Sequence, residues 1–438
     1  MLHTSSCSMV CLLLIPAFVQ AADSPEWPQF RGPAGQGHAA ARDLPTSWSE
    51  QENVAWKCPL PGKGWSSPVI AGNEIWLTTA IDSPLSEAEK AERLKGTTNS
   101  QPLLVSGKLS LRALGVDRSS GKLLHDIELL VEPSPQGTHA TNSFASPTPV
   151  IEAGKLYCHF GAYGTACLDT VSRQVLWTNR DLVVQHENGP GSSPVIWGDL
   201  LIFHCDGSDL QYIAALDKRT GKLAWKTDRT GAMNSNPQLK KSYGTPLVAE
   251  VAGQPLLLSP ASDWLYAYDP AGREVWKLPY EKLGFSLAPR PVVGHGMAFL
   301  CTSFMQSELL AVTLDKEKPQ IAWRYGRQVP QVPSPLLVGD EIYLVSDKGI
   351  ATCLDALSGK VHWAERIPGN YSSSPLLAAG HIYCSNREGE TTVLAPGKEF
   401  RVVGTGKLDG QIMASPAAIE NSIYLRTDKA LYRIAGQK

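Results

Sequence analysis

The sequence repeats itself at long range. A phrase of two mostly small residues and a proline, followed by apolar residues, returns eight times. It is found at Ser66-Ser67-Pro68, Ala145-Ser146-Pro147, Ser192-Ser193-Pro194, Gly244-Thr245-Pro246, Leu287-Ala288-Pro289, Pro333-Ser334-Pro335, Ser373-Ser374-Pro375 and Ala414-Ser415-Pro416. From Pro68 to Pro416 is 348 residues in seven intervals, a period of about 50 that falls in the range of propeller blades. A unit this short cannot bury an apolar face alone, so it must stack on its neighbours.

Each unit follows one script. An apolar run meets a Gly turn, as at Val338-Gly339-Asp340-Glu341, and a β-rich triplet follows, such as Ile75-Trp76-Leu77 or Ile342-Tyr343-Leu344. A polar turn leads to a third strand ending in Leu168-Asp169, Leu216-Asp217, Tyr268-Asp269 or Leu354-Asp355. The turn "KRTGK" or "ALSGK" then leads into a fourth strand carrying Trp. Four short strands joined by hairpin turns make one antiparallel sheet. Recurrence of the Asp in unit after unit marks it as a turn cap accepting backbone N–H groups rather than a metal ligand.

The Trp slot sets the count and the closure. Trp177, Trp225, Trp276, Trp323 and Trp363 end five units, and His125 and Phe400 are assigned to the slot in two more. The last unit stops near Arg433-Ile434, before its fourth strand. A spare copy of that strand, Asn53-Val54-Ala55-Trp56-Lys57, lies at the other terminus. The expectation is an all-β, eight-bladed propeller over residues 53–436, in which an N-terminal strand completes the last four-stranded blade. Such closure leaves no open sheet edge. The Trp residues, Trp56 included, become spacers between blades.

Two segments stand outside the repeat. Residues 82–108 are an insertion in the first unit, with a capping box at Ser86 and Glu89 and helix formers up to Gly96. Residues 22–52, rich in Pro and Gly, are expected to run extended along the surface. Residues 1–21 carry no Lys, Arg, Asp or Glu and contain the apolar stretch "MVCLLLIPAFV". With Val19-Gln20-Ala21 as a cleavage site they read as a signal peptide. The remaining chain is then exported, periplasmic or secreted, with no transmembrane span, and a monomer.

A net charge of −2 gives no electrostatic case for nucleic acid or an anionic membrane. Beyond the signal segment, Cys58, Cys158, Cys167, Cys205, Cys301, Cys353 and Cys384 are an odd set with no Cys-x-x-Cys spacing. Cys167 and Cys353 stand where another unit has Ala215, and Cys158 and Cys384 where others have Leu77, Leu344 and Leu425. They read as buried small apolar residues.

"ALDKRTGKLAWKT" (215–227) and "CLDALSGKVHW" (353–363), together with the Ser-Pro strand and eight units, resemble the PQQ-like β-propeller repeat family. That family includes the quinoprotein alcohol dehydrogenases and the propeller lipoprotein of the bacterial outer-membrane assembly machine. The N-terminal "WPQFRGPAGQG" (27–37) is similar to the entry segment of exported bacterial members with no assigned activity. The resemblance implies a fold more strongly than a function. A quinoprotein reading would imply PQQ held with Ca²⁺ and a carboxylate base. The chain lacks the adjacent Cys pair of those dehydrogenases and their long inter-blade insertions.

Polar residues that fall outside the repeat are the candidates for ligand binding. They are His139 and Asn142 before the second unit, His186 before the third, Asp206 and Asp209 in a turn of the third, Arg290 at the start of the fifth and Tyr371 before the seventh. First strands line a propeller channel, so such residues should gather at one mouth. The expectation is a non-catalytic scaffold binding a protein partner or a small extracytoplasmic ligand there, with no metal and no cofactor. The alternative is a PQQ-dependent oxidoreductase.

Overall fold

The computed structural model describes residues 26–95, 101–281, 284–315 and 318–436. The signal-peptide reading of residues 1–21 and the helix stop at Gly96 lie outside them. The described chain forms eight four-stranded antiparallel sheets and one two-stranded ribbon. The innermost strands are Val69–Ala71, Val150–Glu152, Val195–Trp197, Leu247–Val251, Val292–Gly294, Leu336–Val338, Leu376–Ala378 and Ala417–Ile419. The eighth sheet is completed by Val54–Pro59, which pairs antiparallel with Ala430–Ala435 and sets Trp56 opposite Arg433. Arg426 of blade eight reinforces this closure by donating to Ser66 Oγ (2.7 Å) and the Thr78 carbonyl (2.9 Å) of blade one.

The small residue before each inner strand has a specific task. Ser67 N–H donates to Thr148 Oγ1, Thr148 N–H to Ser193 Oγ, and Ser193 N–H to Thr245 Oγ1. Arg290 N–H donates to Ser334 Oγ, Ser334 N–H to Ser374 Oγ, Ser374 N–H to Ser415 Oγ, and Ser415 N–H back to Ser67 Oγ. These buried bonds run from blade to blade around the axis. The circle is interrupted only between blades four and five, where Arg290 takes the hydroxyl position. The ring also corrects the sequence register. In blades two and five the repeated phrase is Pro147-Thr148-Pro149 and Pro289-Arg290-Pro291, two residues beyond the copies read from sequence, because Ala-Ser-Pro and Leu-Ala-Pro mimic it in the entry loops.

The Trp slot is an inter-blade joint. Trp56, Trp177, Trp225 and Trp323 each donate from Nε1 to a carbonyl in the third-to-fourth-strand turn of the next blade: Arg118, Lys218, Pro270 and Ala356. The Gly of that turn lies against the ring. A Cβ on Gly121, Gly221, Gly272 or Gly359 would stand within 2.4–2.7 Å of it. The turn thus needs Gly both for its positive φ and for the absence of a side chain. Where the slot holds His125, stacked on Trp76 at 5.7 Å, the next turn has Arg173 in place of Gly, at φ 65°. Phe400 does not fill the slot in blade seven; the register puts Gly404 there, opposite Val393. A Cβ on Gly406, two residues on, would lie 1.9 Å from Trp48, whose ring stacks on Tyr383. The aromatic residue comes instead from the N-terminal segment.

The turn aspartates cap as expected. Asp217 Oδ1 accepts from the Thr220 and Arg219 amides, Asp355 Oδ1 from Ser358, and Asp117 Oδ1 from Ser120. The seven cysteines are buried and free; burial pushes Cys205 and Cys384 up to about 12.

The N-terminal segment does not lie along the surface. Trp27 exchanges backbone bonds with Ile70 of blade one, and Ile151 of blade two donates to the Pro28 carbonyl. On the far side, Val293 N–H donates to Gln36 Oε1, His38 Nε2 meets the Leu337 carbonyl at 2.7 Å, and Ala39 and Gly37 pair with Leu377. Residues 27–39 therefore cross the bore and cap the free inner edges of opposite blades. Unpaired inner-strand amides and carbonyls create the demand for this plug.

Candidate functional site

With one end of the bore plugged, the other end opens as a funnel of about 1040 Å³. Its wall comes from entry loops and second-to-third-strand turns of blades one, two, six, seven and eight. Lys63 and Trp65 enter from blade one, Thr141 from blade two, Lys348 from blade six, and Arg387 and Glu388 from blade seven. Met413 and Asp428 belong to blade eight. Lys63 sits over the Trp65 ring, 5.8 Å from its centroid.

The charges of the funnel are not equivalent. Glu388 accepts from the Asn370 amide (2.9 Å) and side chain (2.8 Å), and Asp428 accepts from the Gln411 amide at 2.6 Å. Both carboxylates are occupied in holding loops. Arg387 donates to Ser372 Oγ at 2.8 Å. Among the described residues, Lys63, Lys348 and Arg387 have no carboxylate within ion-pair distance. The funnel therefore presents positive charge beside an aromatic ring and a thioether, a surface suited to an anionic group with an apolar neighbour.

None of the seven residues singled out from sequence lines this cavity. His139 adjoins the lining residue Ala140. Its Nδ1 meets Thr141 Oγ1 at 2.9 Å, and burial and then Arg387 lower its pKa. Asn142 donates to the Asn188 carbonyl at 2.8 Å, fastening the entry loop of blade two to that of blade three. His186 is buried, accepts from the Ala162 amide at Nε2 (3.1 Å) and is held down to about 4 by burial. Asp209 accepts from the Gln185 amide. The Tyr371 hydroxyl donates to the Pro368 carbonyl at 2.7 Å.

Asp206 is not in a turn. It ends the strand Leu200–Asp206 with His204 and forms a fully buried bidentate pair with Arg229, at 3.0 and 2.7 Å. Arg229 also donates to Ser259 and Tyr268. Arg290 points away from the mouth, into the plug, where it donates to the Phe30 carbonyl at 2.7 Å. The entry loops of blades two and three are joined by the bonds of Asn142 and of the His139 amide to the Asn188 carbonyl. Four of the funnel residues that sequence reading missed, Lys348, Arg387, Glu388 and Asp428, lie in one repeated turn. "SDKG" (346–349), "NREG" (386–389) and "TDKA" (427–430) are aligned turns, and a cation in each was the available signal.

The insertion sits beside the same mouth, because it joins the second and third strands of blade one. Its helix, Glu87–Leu94, has the Ser86–Glu89 capping box and buries no residue. Leu103–Leu104 pairs with Thr138–His139 at the entry of blade two.

The sequence profile of the family described as outer membrane protein assembly factor BamB matches residues 39–227 and 209–437. The chain belongs to the BamB family. No curated protein matches this BamB-family chain in sequence. Among solved structures it is similar to BamB from Moraxella catarrhalis, with TM-score 0.57, 12% identity, and 87% of this chain and 99% of that one covered. It is also similar to a europium-containing methanol dehydrogenase, with TM-score 0.60, 12% identity, and 92% and 90% covered. The computationally designed protein Ika8 matches with TM-score 0.56, 10% identity, and 86% and 98% covered. At these identities the likeness is one of fold. No helix among the described residues is long and apolar enough to cross a membrane.

Proposed function

We propose that this BamB-family propeller is a non-catalytic, exported scaffold whose open funnel engages a partner protein or small extracytoplasmic ligand through negative charge. The observation that carries the reading is the set of cations without carboxylate partners, Lys63, Lys348 and Arg387, around a bore closed at its far end. His139, His186 and Asp209 are spent on loop bonds and Asp206 on its buried pair with Arg229. Among the described residues no three His, Cys, Asp or Glu side chains are close enough to share a metal. Glu388 and Asp428 are engaged, and the sequence has no adjacent Cys pair. This donor set does not fit PQQ with Ca²⁺.

The test is a photo-cross-linker placed at Thr141, with capture from the native envelope fraction. The double variant Lys63→Glu with Lys348→Glu reverses two exposed charges without touching a buried bond. The expected result is loss of the cross-linked species with an unchanged melting curve. Undiminished capture by the double variant would overturn the funnel as the binding site. Dye-linked alcohol oxidation after reconstitution with PQQ and Ca²⁺ would overturn the non-catalytic reading.

A further inference from the structure

Two guanidinium groups are buried in the plugged end of the bore, remote from the funnel. Arg31 and Arg290 are each 2% exposed. Among the described residues neither has a carboxylate within ion-pair distance. Arg229 has Asp206, and Arg426, also without a carboxylate, has three acceptors for one Nη1, the Ser66 carbonyl and hydroxyl and the Thr78 carbonyl. Their neutral partners are few. Arg31 donates from Nη2 to the Gln36 carbonyl at 3.0 Å, and Arg290 donates to the Phe30 carbonyl and, at 3.4 Å, to Gln29 Oε1. Arg31 Nε and Nη1 and Arg290 Nε are buried with no protein acceptor.

The two groups are packed against one glycine-rich turn. A Cβ on Gly35 would stand 2.4 Å from Arg290 Nη1, and one on Gly37 would stand 2.6 Å from Arg31 Nη2. Those glycines are two residues apart, so their Cα atoms are separated by at most ~7 Å. Burial pushes both groups down to about 9, and the charge of Arg290 adds to the effect at Arg31. A guanidinium does not lose its proton in a protein. Two like charges taken from water, packed on one turn and with unmet donors, call for a counter-charge.

We propose that a small inorganic anion, a halide or a tetrahedral oxyanion, binds between Arg31 and Arg290 and pins the N-terminal plug to blade five. The anion accepts from the orphaned Nε and Nη1 donors. Planar guanidinium forks are matched to that task. Arg290 is free to serve because it replaces the ring hydroxyl at this one blade. The site is separate from the funnel and does not depend on what the funnel binds.

The test uses the whole protein in sodium gluconate, a bulky organic anion, exchanged at constant ionic strength for bromide, sulfate or phosphate. For at least one of these, the melting midpoint should rise with the logarithm of its concentration. Arg290→Met should abolish that dependence, whatever its own midpoint, and Arg290→Lys should retain part of it. Crystals of the unaltered protein grown in the anion that raises the midpoint should show it in contact with both guanidinium groups, as an anomalous peak for bromide or tetrahedral density for sulfate or phosphate. Midpoints indifferent to all three anions, or a map in the effective anion without that density, would overturn the proposal. If Arg290→Met fails to fold, that map of the unaltered protein decides.

Discussion

His186, His159 and His204 are neutral histidines in closed surroundings. Burial lowers His186 to about 4 and His159 to about 3, and drives His204 down, with Arg229 adding to it. In the unfolded chain each titrates near 6.5. Below that value the unfolded state binds protons that the native state refuses, so stability is full above about pH 6.5 and falls as the pH drops toward 4. Each such histidine should cost roughly 1 kcal/mol at pH 5.5. Urea midpoints measured from pH 7.5 to 4.5 should decline across this window, and His186→Gln should make the decline shallower. An unchanged slope would mean His186 is solvated. Sequence reading singled out His186 because it breaks the repeat, yet it assigned His186 to the mouth. A residue outside a repeat is equally well one that fastens a loop, and only the Ala162 amide at its Nε2 tells the two apart. The same holds for Asp206, whose partner Arg229 lies 23 residues away in a segment with no pattern of its own.

At the scale of the blade, the Trp and the Gly of the following turn act as one joint. Gly221→Ala would force a Cβ to 2.4 Å from Trp177 at φ 70°, and a cost of about 2–3 kcal/mol is expected. Gly198→Ala is the control. Its φ is 61° with nothing within 4 Å, so it should cost about 1 kcal/mol. Combining Gly221→Ala with Trp177→Ala should give less than the sum of the two losses, as contacting residues do; strict additivity in denaturant titrations would separate the two residues. This joint was legible in sequence because Trp and Thr/Ser-Gly-Lys recur at fixed spacing. Blade seven was misread for a related reason. Its own strand supplies Gly404 and Gly406, and the aromatic residue arrives from Trp48, which no local spacing can indicate.

For the ring as a whole, closure depends on the pairing of Val54–Pro59 with Ala430–Ala435. Trp56→Ala and Trp225→Ala remove similar half-buried rings that pack on a turn Gly and bond a turn carbonyl. Both should lower stability by about 2 kcal/mol. Only Trp56→Ala should also make residues 40–53 susceptible to limited proteolysis, because that strand alone is not continuous with the rest of its blade. Equal protease resistance in the two variants would show that closure does not rely on Trp56. Blade number and closure were readable from the count of repeats against the count of fourth strands. The plug was not, because an irregular Pro/Gly segment carries no period and its bonding partners are edges created only once the ring exists. That dependence orders events in time. Trp27 and Pro28 meet Ile70 and Ile151 of the first two blades, but Ala39 meets Leu377, Arg42 meets Glu420 and Asn53 meets Ala435, so residues 39–53 precede the blades in sequence yet find their partners in the last two. The closing strand must wait unpaired until Ala430–Ala435 has emerged, so the ring can shut only at the end of its own assembly.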